Sequence, residues 1–514
     1  MIILTAAFTA CQPKETTLTF IESTDTHGHF VEFANDAAYI KQMKADLGDN
    51  LILLDGGDNV QGSAYQYCSN HDDSNINLAA AFLNSFPYDA IVVGNHDIEA
   101  GKKVFDRLYS ETTMPALCAN VIDETTGEPY FTPYTILNRD GCKIAILGLL
   151  TPYVITWVPD RLRPGLRFDQ LEEAAEKWVK IIREKEHPDL MIGLFHSGWD
   201  FAEQNLPAGT PLGRENATKW VAENVPGFDL IFYGHDHRAK AESVVNCQGD
   251  TVYVLNSGSR AQNLAKAEVK MVGHKIAGIK VELIPTTDTP DDTEFASMVQ
   301  PYLERSEAYQ QIEVADLPTT ICSNDAFLGP SLWVDEIHRC QFDAAAKAGI
   351  KADISIAAPL MGGQTIEVGR LTVKDFFTWY PFENSLAVMS MKGHEVKDFL
   401  EYAYTMKNPI YNFDSGAGII YEVHEKNPQN ERIHIISMAD GTPFDMEKTY
   451  NVVMNSYRSM GGGNHFMNGI GWEQPEIKDH VVWQNEEDLR SVFIEWAKEK
   501  GTLDGEPLNQ WTIR

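Results

Sequence analysis

Long apolar runs are missing from this 514-residue sequence, and basic residues are far fewer than acidic ones. A helix that spans a bilayer needs about 20 consecutive apolar residues, so no transmembrane segment is predicted. Lys and Arg number 42 against 74 Asp and Glu, a formal net charge of −32. Because affinity for nucleic-acid polymers comes mainly from Lys and Arg, this balance argues against DNA or RNA as a partner. Small anions stay compatible, since a bound metal ion can reverse the local field.

Cysteine pairs with the spacing of zinc sites are also missing. The seven cysteines stand at positions 11, 68, 118, 142, 247, 322 and 340, and none belongs to a Cys-x-x-Cys pair. The sequence therefore offers no structural zinc framework, although one or two disulfides would be compatible with an exported protein.

The N-terminus, MIILTAAFTAC, is a short apolar run that ends in small residues and Cys11. Residues 1–16 resemble the remnant of a bacterial lipoprotein signal with a polar linker, in which Cys11 is the lipidated residue. This interpretation predicts export to the periplasm or cell envelope with a lipid anchor. The alternative is an apolar terminus that carries a free thiol.

Short apolar runs alternate with helical patterns over residues 17–285. The runs are LTFIEST, LILLDGGD, AIVVGNHD, KIAILGLL, LMIGLFHSG, LIFYGHDH and VYVLNSGS. Their nearly continuous apolar character is typical of strands buried on both faces, and amphipathic stretches such as residues 169–185 lie between them. The alternation predicts a layered α/β domain.

The composition changes near residue 285. A stretch rich in Pro, Thr and Asp leads into a helical pattern, which we interpret as a linker helix over residues 286–315. Apolar strand patterns resume in DISIAAP, LAVMSM, GIIYEV and YNVVMNSY. They predict a second α/β domain over residues 316–514.

Five apolar runs of the first domain end in side chains that bind metals. These side chains are Asp25, His27, Asp58, Asn95, His96, His196, His235 and His237. A single strand-end Asp or His is usually a turn former, but a parallel sheet places all such ends on one edge. A mixed set of imidazole, carboxylate and amide donors suits two divalent ions with a shared ligand. The sequence therefore predicts an open, catalytic two-metal site.

The motifs Asp-x-His-Gly, Gly-Asp-Asn, Gly-Asn-His-Asp, a later strand-end His and Gly-His-x-His follow one another in the order of the calcineurin-like metallophosphoesterase family, which residues 17–260 resemble. The resemblance implies phosphoester hydrolysis with two divalent ions, either Zn, Mn, Co or Mg. It implies that Asp58 bridges the two ions. The implied ligands of one ion are Asp25, His27, Asp58 and His237, and those of the other are Asp58, Asn95, His196 and His235.

The resemblance gives His96 a separate catalytic role, as a hydrogen-bond donor or general acid at the phosphoryl or leaving oxygen. A donor imidazole needs an orienting partner. In the nucleotidase branch this partner is commonly an Asp three residues after the His, where this chain has Glu99. We take Glu99 as the partner, with Asp97 as the alternative.

Aromatic residues precede glycine-rich turns in the second domain. Tyr411 and Phe413 precede one such turn, and Tyr457 precedes the triple glycine. Aromatics at these places are commonly core anchors, but two of them can also form facing plates for a nucleobase.

The segments YNFD, YPFENSL and NSYRSMGGGNHF resemble the C-terminal domain of the 5′-nucleotidase superfamily over residues 316–475. They are most similar to its 2′,3′-cyclic-nucleotide 2′-phosphodiesterase/3′-nucleotidase branch. The 5′-nucleotidase branch usually has an Asn-Gly-Gly-x-Arg segment, whereas this chain reads PLMGGQTIEV without the Arg.

This resemblance implies that Tyr411 or Phe413 stacks on one face of the base and Tyr457 on the other. Polar contacts are assigned to Asn384, Asn455 and Asn464, each of which has a turn role as its alternative. Arg458 either binds phosphate or forms a surface salt bridge.

These features together predict an exported two-metal hydrolase that acts on small nucleotides, namely 2′,3′-cyclic nucleotides, nucleoside monophosphates or both. A 5′-nucleotidase or nucleotide-sugar hydrolase is the alternative among enzymes. The alternative of another class is a non-catalytic nucleotide-binding surface lipoprotein. Since none of the expected metal ligands is missing, the sequence favours an enzyme.

Overall fold

A computed structural model describes residues 14–200, 213–407 and 410–514. The chain forms two compact units: the first contains the described residues up to Tyr153 together with Pro164–Pro301, and the second contains Val154–Arg163 and Tyr302–Arg514. The domain limits derived from the sequence, 17–285 and 316–514, stay predictions. Cys11 lies outside the described residues.

The first unit contains fourteen described strands. They are β1 (Glu15–Ser23), β2 (Leu51–Asp55), β3 (Tyr88–Val92), β4 (Ala116–Leu117), β5 (Val121–Asp123), β6 (Tyr134–Arg139), β7 (Cys142–Leu150), β8 (Leu166–Phe168), β9 (Leu190–His196), β10 (Leu230–Tyr233), β11 (Lys240–Val245), β12 (Thr251–Asn256), β13 (Asn263–Val272) and β14 (Lys275–Pro285).

Two six-stranded sheets dominate the first unit. One has the order β14-β13-β1-β2-β3-β4, and the other has the order β11-β12-β10-β9-β7-β6. Strands β1 to β4 run parallel, as do β7, β9, β10 and β12, while β6, β11, β13 and β14 pair antiparallel at the flanks. Every apolar run predicted as a strand in this part of the chain forms one.

The core of the first unit lies between these sheets. Alternate residues of β7 serve its two faces: Ile144 and Ile146 join the cluster shared by both sheets, whereas Ala145 and Leu147 pack on the opposite side with helical residues. Such strands are buried on both faces, which explains their continuous apolar sequences.

The expectation of a single parallel sheet edge was wrong in one respect. The five strands that end in metal-binding side chains divide three to two between the sheets: β1, β2 and β3 belong to one, and β9 and β10 to the other. The packing of two sheets face to face, rather than one sheet alone, brings these ends together.

Helices cover the outer faces of the sheets or follow strand ends. The helices up to the boundary of the units are α1 (Ala34–Leu47), α2 (Ala64–Asn70), α3 (Leu78–Asn84), α4 (Asn95–Glu99), α5 (Lys102–Glu111), α6 (Val154–Trp157), α7 (Leu171–Glu186), α8 (Thr218–Asn224) and α9 (Thr293–Gln310). Helix α6 belongs to the second unit, and the chain passes between units within α9. The amphipathic pattern over 169–185 forms α7, which buries Leu171, Ala175 and Ile182.

The second unit is built around a five-stranded mixed sheet with the order β21-β17-β24-β20-β25, beside a three-stranded sheet with the order β23-β22-β26. Its strands are β15 (Glu313–Leu317), β16 (Ile321–Cys322), β17 (Ile354–Ala357), β18 (Thr365–Ile366), β19 (Gly369–Thr372), β20 (Ser385–Lys392), β21 (Ser415–Ala417), β22 (Ile419–Val423), β23 (Ile433–Met438), β24 (Thr449–Asn455), β25 (Val481–Asp488) and β26 (Trp511–Ile513). Its further helices are α10 (Leu332–Lys347), α11 (Val373–Trp379), α12 (Gly393–Ala403), α13 (Ser456–Ser459), α14 (Gln474–Ile477) and α15 (Leu489–Lys500).

The six described cysteines are all free thiols. Among the residues that the structure describes, no helix combines the length and the apolar character needed to cross a bilayer.

Candidate active site

The seven side chains predicted as metal ligands converge where β1, β2, β3, β9 and β10 end. Near the end of β1, His27 Nε2 lies 2.9 Å from His237 Nε2. His237 Nε2 in turn lies 3.3 Å from Asp25 Oδ1, and His27 Nε2 lies 3.8 Å from the same oxygen. These three side chains offer ligand atoms that all fall within 4.8 Å of one another.

A second group lies around Asp58. His196 Nε2 lies 3.0 Å from Asp58 Oδ2 and 3.1 Å from Asn95 Oδ1. His235 Nδ1 lies 2.8 Å from the same Asn95 oxygen. Asp25, Asp58 and His196 also place ligand atoms within 4.8 Å of one another, so the two groups are continuous.

Left-handed backbone is concentrated at these positions. The φ angles are +50° at Asp25, +49° at His27, +59° at Asp58, +82° at His235 and +57° at His237. Residues other than glycine seldom adopt the left-handed backbone region, and such strain persists only where the surrounding structure holds the backbone in place. Backbone bonds supply that enforcement, because the Asp25 N–H donates to Gly57 O at 3.0 Å and the His27 N–H donates to Asp58 O at 2.9 Å.

Two motif glycines make room for the carboxylates. A Cβ on Gly94 would come within 2.1 Å of Asp58 Oδ1, and one on Gly234 would come within 2.5 Å of Asp25 Oδ2. The glycines of Gly-Asn-His and Gly-His-x-His are therefore required by close packing against the ligands rather than by their own φ angles.

Backbone carbonyls orient two of the imidazoles. His196 Nδ1 lies 2.6 Å from Gly56 O, and His27 Nδ1 lies 3.1 Å from Gln61 O. An acceptor at the outer nitrogen keeps the proton there and leaves Nε2 as the inward lone pair, the form that binds a metal. Sequence reasoning missed these acceptors, since a backbone carbonyl carries no side-chain signal.

The electrostatics of the cluster favour a cation. Burial opposes ionisation of Asp25, yet the imidazoles of His237 and His196 lower the pKa of this carboxyl to about 2. Burial lowers the pKa of His27 to about 3, which keeps its imidazole neutral. For His196, burial is outweighed by Asp58 and Asp25, which raise its pKa to about 10. The buried carboxylates thus favour positive charge within a mixed set of nitrogen and oxygen donors, and this set fits divalent metal ions.

His96 lies beside the cluster and contacts Glu99. Its Nδ1 lies 2.5 Å from Glu99 Oε2, and its ring belongs to a group with His27 and Asp58 in which one ligand atom from each lies within 4.8 Å of the others. Burial would lower the pKa of His96, but the Asp58 and Glu99 carboxylates raise it to about 9.

Asp97 faces away from His96 and holds the backbone. Its fully buried carboxylate accepts N–H bonds from Gly94 at 2.9 Å and Asn59 at 2.9 Å, and the Tyr109 hydroxyl at 3.0 Å. The geometry therefore pairs His96 with Glu99 and places Asp97 beneath the loops that carry the ligands.

The two aromatic candidates of the first glycine turn differ in exposure. Tyr411 is 39% exposed, and its ring centroid lies 6.3 Å from that of Phe382. Phe413 is 2% exposed and packs against Phe327 and Tyr404 in the core. Of the two rings, that of Tyr411 is therefore the more accessible to solvent.

Arg458 is not at the surface, so the surface salt bridge considered from the sequence was wrong. It is 1% exposed, and its Nη2 lies 2.7 Å from Asp414 Oδ2. The guanidinium also donates to Tyr411 O at 3.1 Å and Asn412 Oδ1 at 3.2 Å. Because these acceptors occupy it, Arg458 ties the Tyr411 turn to the Tyr457 turn, and phosphate binding has no support in this geometry.

Close packing against Tyr457 and Arg458 explains two of the three consecutive glycines. A Cβ on Gly462 would lie 2.6 Å from the Tyr457 ring, and one on Gly463 would lie 2.3 Å from the Arg458 guanidinium. The glycines therefore let the backbone approach the Tyr457 ring and the Arg458 guanidinium more closely than a residue with a Cβ could.

The three asparagines take different positions. Asn455 caps α13 by accepting the Arg458 N–H at 2.8 Å, and the carbonyl of the 6% exposed Asn384 accepts the Leu489 N–H. Asn464 has a left-handed φ of +61° at the end of the glycine turn. The first serves as a cap, whereas the other two keep their roles as candidate polar contacts.

Known proteins share both parts of this chain. Residues 18–239 match the family described as calcineurin-like phosphoesterase, and residues 324–469 match the one described as 5′-nucleotidase, C-terminal domain. The 2′,3′-cyclic-nucleotide 2′-phosphodiesterase/3′-nucleotidase of Haemophilus influenzae is 23% identical over 582 residues, with 95% of this chain and 85% of that protein covered. The 5′-nucleotidase of Vibrio vulnificus is 24% identical over 525 residues, with 90% of each covered. The solved structure of a 5′-nucleotidase precursor from Thermus thermophilus shares the fold, with a TM-score of 0.67, 20% identity and coverage of 97% of this chain and 99% of that chain.

The layered fold and its clustered Asp, His and Asn side chains define the class of protein, which is a metal-dependent phosphoester hydrolase. This chain thus combines a match to calcineurin-like phosphoesterases over residues 18–239 with a match to the 5′-nucleotidase C-terminal domain over residues 324–469.

Proposed function

We propose that this protein hydrolyses nucleotide phosphoesters with two divalent metal ions held at the strand-end cluster. The observation that carries the proposal is the convergence of Asp25, Asp58 and His196, whose ligand atoms lie within 4.8 Å of one another. Relatives that are named as a 3′-nucleotidase and a 5′-nucleotidase support a nucleotide as the substrate.

The ligands divide between the two ions, with Asp58 shared. Asp25, His27, Asp58 and His237 would hold one ion, and Asp58, Asn95, His196 and His235 would hold the other. Zn²⁺, Mn²⁺, Co²⁺ and Mg²⁺ all accept such donors. Bound divalent ions supply an activated water and neutralise charge on the phosphoryl group.

In this proposal, His96 acts as the hydrogen-bond donor or general acid of the reaction. Its contact with Glu99 fixes the ring and keeps a proton on Nδ1, so Nε2 is the atom that faces a phosphoryl or leaving oxygen. Asp97 acts more remotely, since it holds the backbone of Gly94 and Asn59 beside the ligands.

The second unit would bind the nucleoside. Tyr411 would stack on one face of the base and Tyr457, whose ring lies close to Gly462, on the other, and Asn384 and Asn464 would supply polar contacts. Arg458 keeps the two aromatic turns together through its bonds to Tyr411 O and Asp414. The domain limits 17–285, 286–315 and 316–514 belong to this proposal.

Export to the periplasm or cell envelope, with a lipid on Cys11, is the location we propose. It rests on the apolar segment MIILTAAFTAC followed by polar residues. Labelled palmitate incorporated by the full chain and lost in Cys11→Ser would support the anchor, and equal labelling of both would contradict it.

A substrate panel tests the function. Phosphate release or ring opening is measured with 3′-AMP, 2′,3′-cyclic AMP, 5′-AMP and a nucleotide sugar, in Mn²⁺ and then with excess chelator. We expect chelator-sensitive turnover that favours the cyclic and 3′ substrates, because the Met361-Gly-Gly-Gln364 segment lacks an Arg. A preference for 5′-AMP or the nucleotide sugar supports the alternative enzymes. Nucleotide binding without turnover in any metal supports the non-catalytic alternative and contradicts hydrolysis.

A further inference from the structure

The buried imidazoles of the cluster each have an acceptor at the outer nitrogen, but the acceptors differ in kind. For His27 and His196 they are the backbone carbonyls of Gln61 and Gly56. For His235 the acceptor is a side chain. Its Nε2 lies 3.2 Å from Glu215 Oε1, while its Nδ1 lies 2.8 Å from Asn95 Oδ1.

Glu215 is fixed in place independently of this contact. The Ser197 hydroxyl donates to Glu215 O at 2.7 Å, and the Ala217 N–H donates to the Ser197 hydroxyl at 2.9 Å. Ser197 directly follows the ligand His196 in the chain. The backbone of Glu215 is therefore tied to the end of β9, one residue from the cluster.

Both partners are largely shielded from water. The side chain of His235 is 12% exposed and that of Glu215 is 14% exposed. A charged acceptor in such surroundings forms a stronger hydrogen bond than one at an open surface. This separates the contact from an ordinary surface ion pair, which contributes little.

We propose that Glu215 is a positioning residue of the metal centre. A neutral imidazole carries a single proton. If this proton is on Nε2 of His235, the N–H donates a hydrogen bond to the Glu215 carboxylate. The lone pair of the ring is then on Nδ1, which faces Asn95. Glu215 thereby selects the tautomer that can bind the ion shared with Asn95, and it raises the basicity of the ring.

This inference rests on the proposed two-metal function, and it names a residue that motif reading does not find. Glu215 stands in the segment Gly213-Arg-Glu-Asn216, outside Gly-His-x-His and every other motif of the site. Only the folded chain brings it to His235.

Metal binding provides the test. Mn²⁺ is titrated by calorimetry into the metal-free full chain of the wild type, Glu215→Ala and Glu215→Gln, with Glu176→Ala on the exposed face of α7 as a control of equal charge change. Orienting partners of ligands contribute about 10- to 100-fold in metal affinity. We expect the wild type to bind two ions and Glu215→Ala to weaken one of them by that factor. Glu215→Gln should recover part of the loss, because its amide oxygen can accept the same bond, and Glu176→Ala should match the wild type.

Each other outcome contradicts a different statement. If Glu215→Ala binds both ions as tightly as the wild type does, the proposed role of Glu215 is wrong, although the metal centre itself is still supported. A wild type that binds no Mn²⁺ contradicts the centre itself and with it the role. If Gln is no better than Ala, hydrogen-bond acceptance is not the basis. An altered far-ultraviolet circular dichroism spectrum together with loss of both ions assigns Glu215 to folding and overturns the proposal.

Discussion

Two buried polar clusters, one in each unit, differ in where their positive charge comes from. Around Asp25 in the first unit, the Nε2 atoms of His27 and His237 lie 2.9 Å apart, so groups that can accept a bond crowd together. In the second unit, Asp414 faces the guanidinium of Arg458 at 2.7 Å. The second cluster contains its own cation, whereas the first is a set of ligands that suits a metal ion.

The backbone shows the same difference. Five of the seven predicted ligands have left-handed φ angles, and such strain is tolerated where function requires the geometry. The cluster of Arg458 and Asp414 satisfies a buried charge with a partner, which is the ordinary structural solution. Burial and polarity alone therefore do not identify a site; an excess of convergent acceptors does.

Removing one carboxylate from each cluster is the strongest way to break this comparison. Asp58→Asn should lower kcat at least about 1000-fold, because the bridging ligand supports both ions. Asp414→Asn should instead lower the free energy of unfolding by about 3–5 kcal/mol, since it leaves the buried Arg458 without its charge partner.

Both variants are measured by phosphate release in saturating Mn²⁺ and by urea unfolding. The comparison fails if Asp414→Asn unfolds as the wild type does, or if Asp58→Asn keeps full turnover.

A third buried carboxylate, with neither a metal nor an arginine as partner, sharpens the contrast. Asp36 at the start of α1 is fully buried, and burial raises its pKa to about 7, with the Thr286 hydroxyl favouring the ionised form only in part. Its pKa in the unfolded chain is about 3.9. Because the folded value is the higher one, the stability linked to Asp36 is fully present below about pH 4 and is lost as pH rises through 7.

Asp36→Asn should therefore raise the free energy of unfolding at pH 8 relative to the wild type, by about 4 kcal/mol at most. At pH 4.5 the difference should be much smaller. Urea unfolding of both proteins at the two pH values checks this. A difference that is the same at pH 4.5 and pH 8 would show that Asp36 is ionised in the folded protein throughout.

Glu99 and Asp97 allow the same comparison of a catalytic carboxylate with a structural one within the first unit. Glu99→Gln should lower kcat by about 100-fold, because His96 loses the charged partner that orients it. Asp97→Asn should lower the free energy of unfolding by about 1–3 kcal/mol, since buried N–H groups lose a charged acceptor. Steady-state kinetics and unfolding of both variants separate these effects. Unchanged kcat in Glu99→Gln would remove Glu99 from the catalytic pair.

The smallest effect on catalysis is expected from the aromatic pair of the second unit. Tyr411→Ala should raise KM about 10-fold with little change in kcat, because stacking on a base contributes about 1–3 kcal/mol. Phe413→Ala should lower the free energy of unfolding by about 3–5 kcal/mol through the cavity it leaves. If Phe413→Ala instead raises KM while Tyr411→Ala does not, the assignment of the base-binding ring is reversed.

Much of the first unit could be predicted from the sequence because its strands are buried on both faces. Continuous apolar runs such as KIAILGLL form strands, and polar residues at their ends converge as expected. The division of these strands between two sheets could not be read from the runs, since apolar content does not record which strand pairs with which.

Contacts that depend on packing were harder to predict. For Phe413 the sequence left a core anchor and a base-stacking ring as alternatives, and for Arg458 it left phosphate binding and a surface salt bridge. Both residues are buried. The placement of Val154–Arg163 with the second unit had no sequence signal either. Glu215 reaches His235 only through tertiary structure, because it stands twenty residues before it in the chain.

The central claim is that strand ends from two sheets bind a pair of divalent cations. The most direct measurement is a crystal structure of the full chain grown with Mn²⁺, with anomalous scattering used to locate the metal. The account predicts two ions about 3.5–4 Å apart that share Asp58. Anomalous peaks only at other places, or an ordered cluster of Asp25, Asp58 and His196 without any peak, would contradict it.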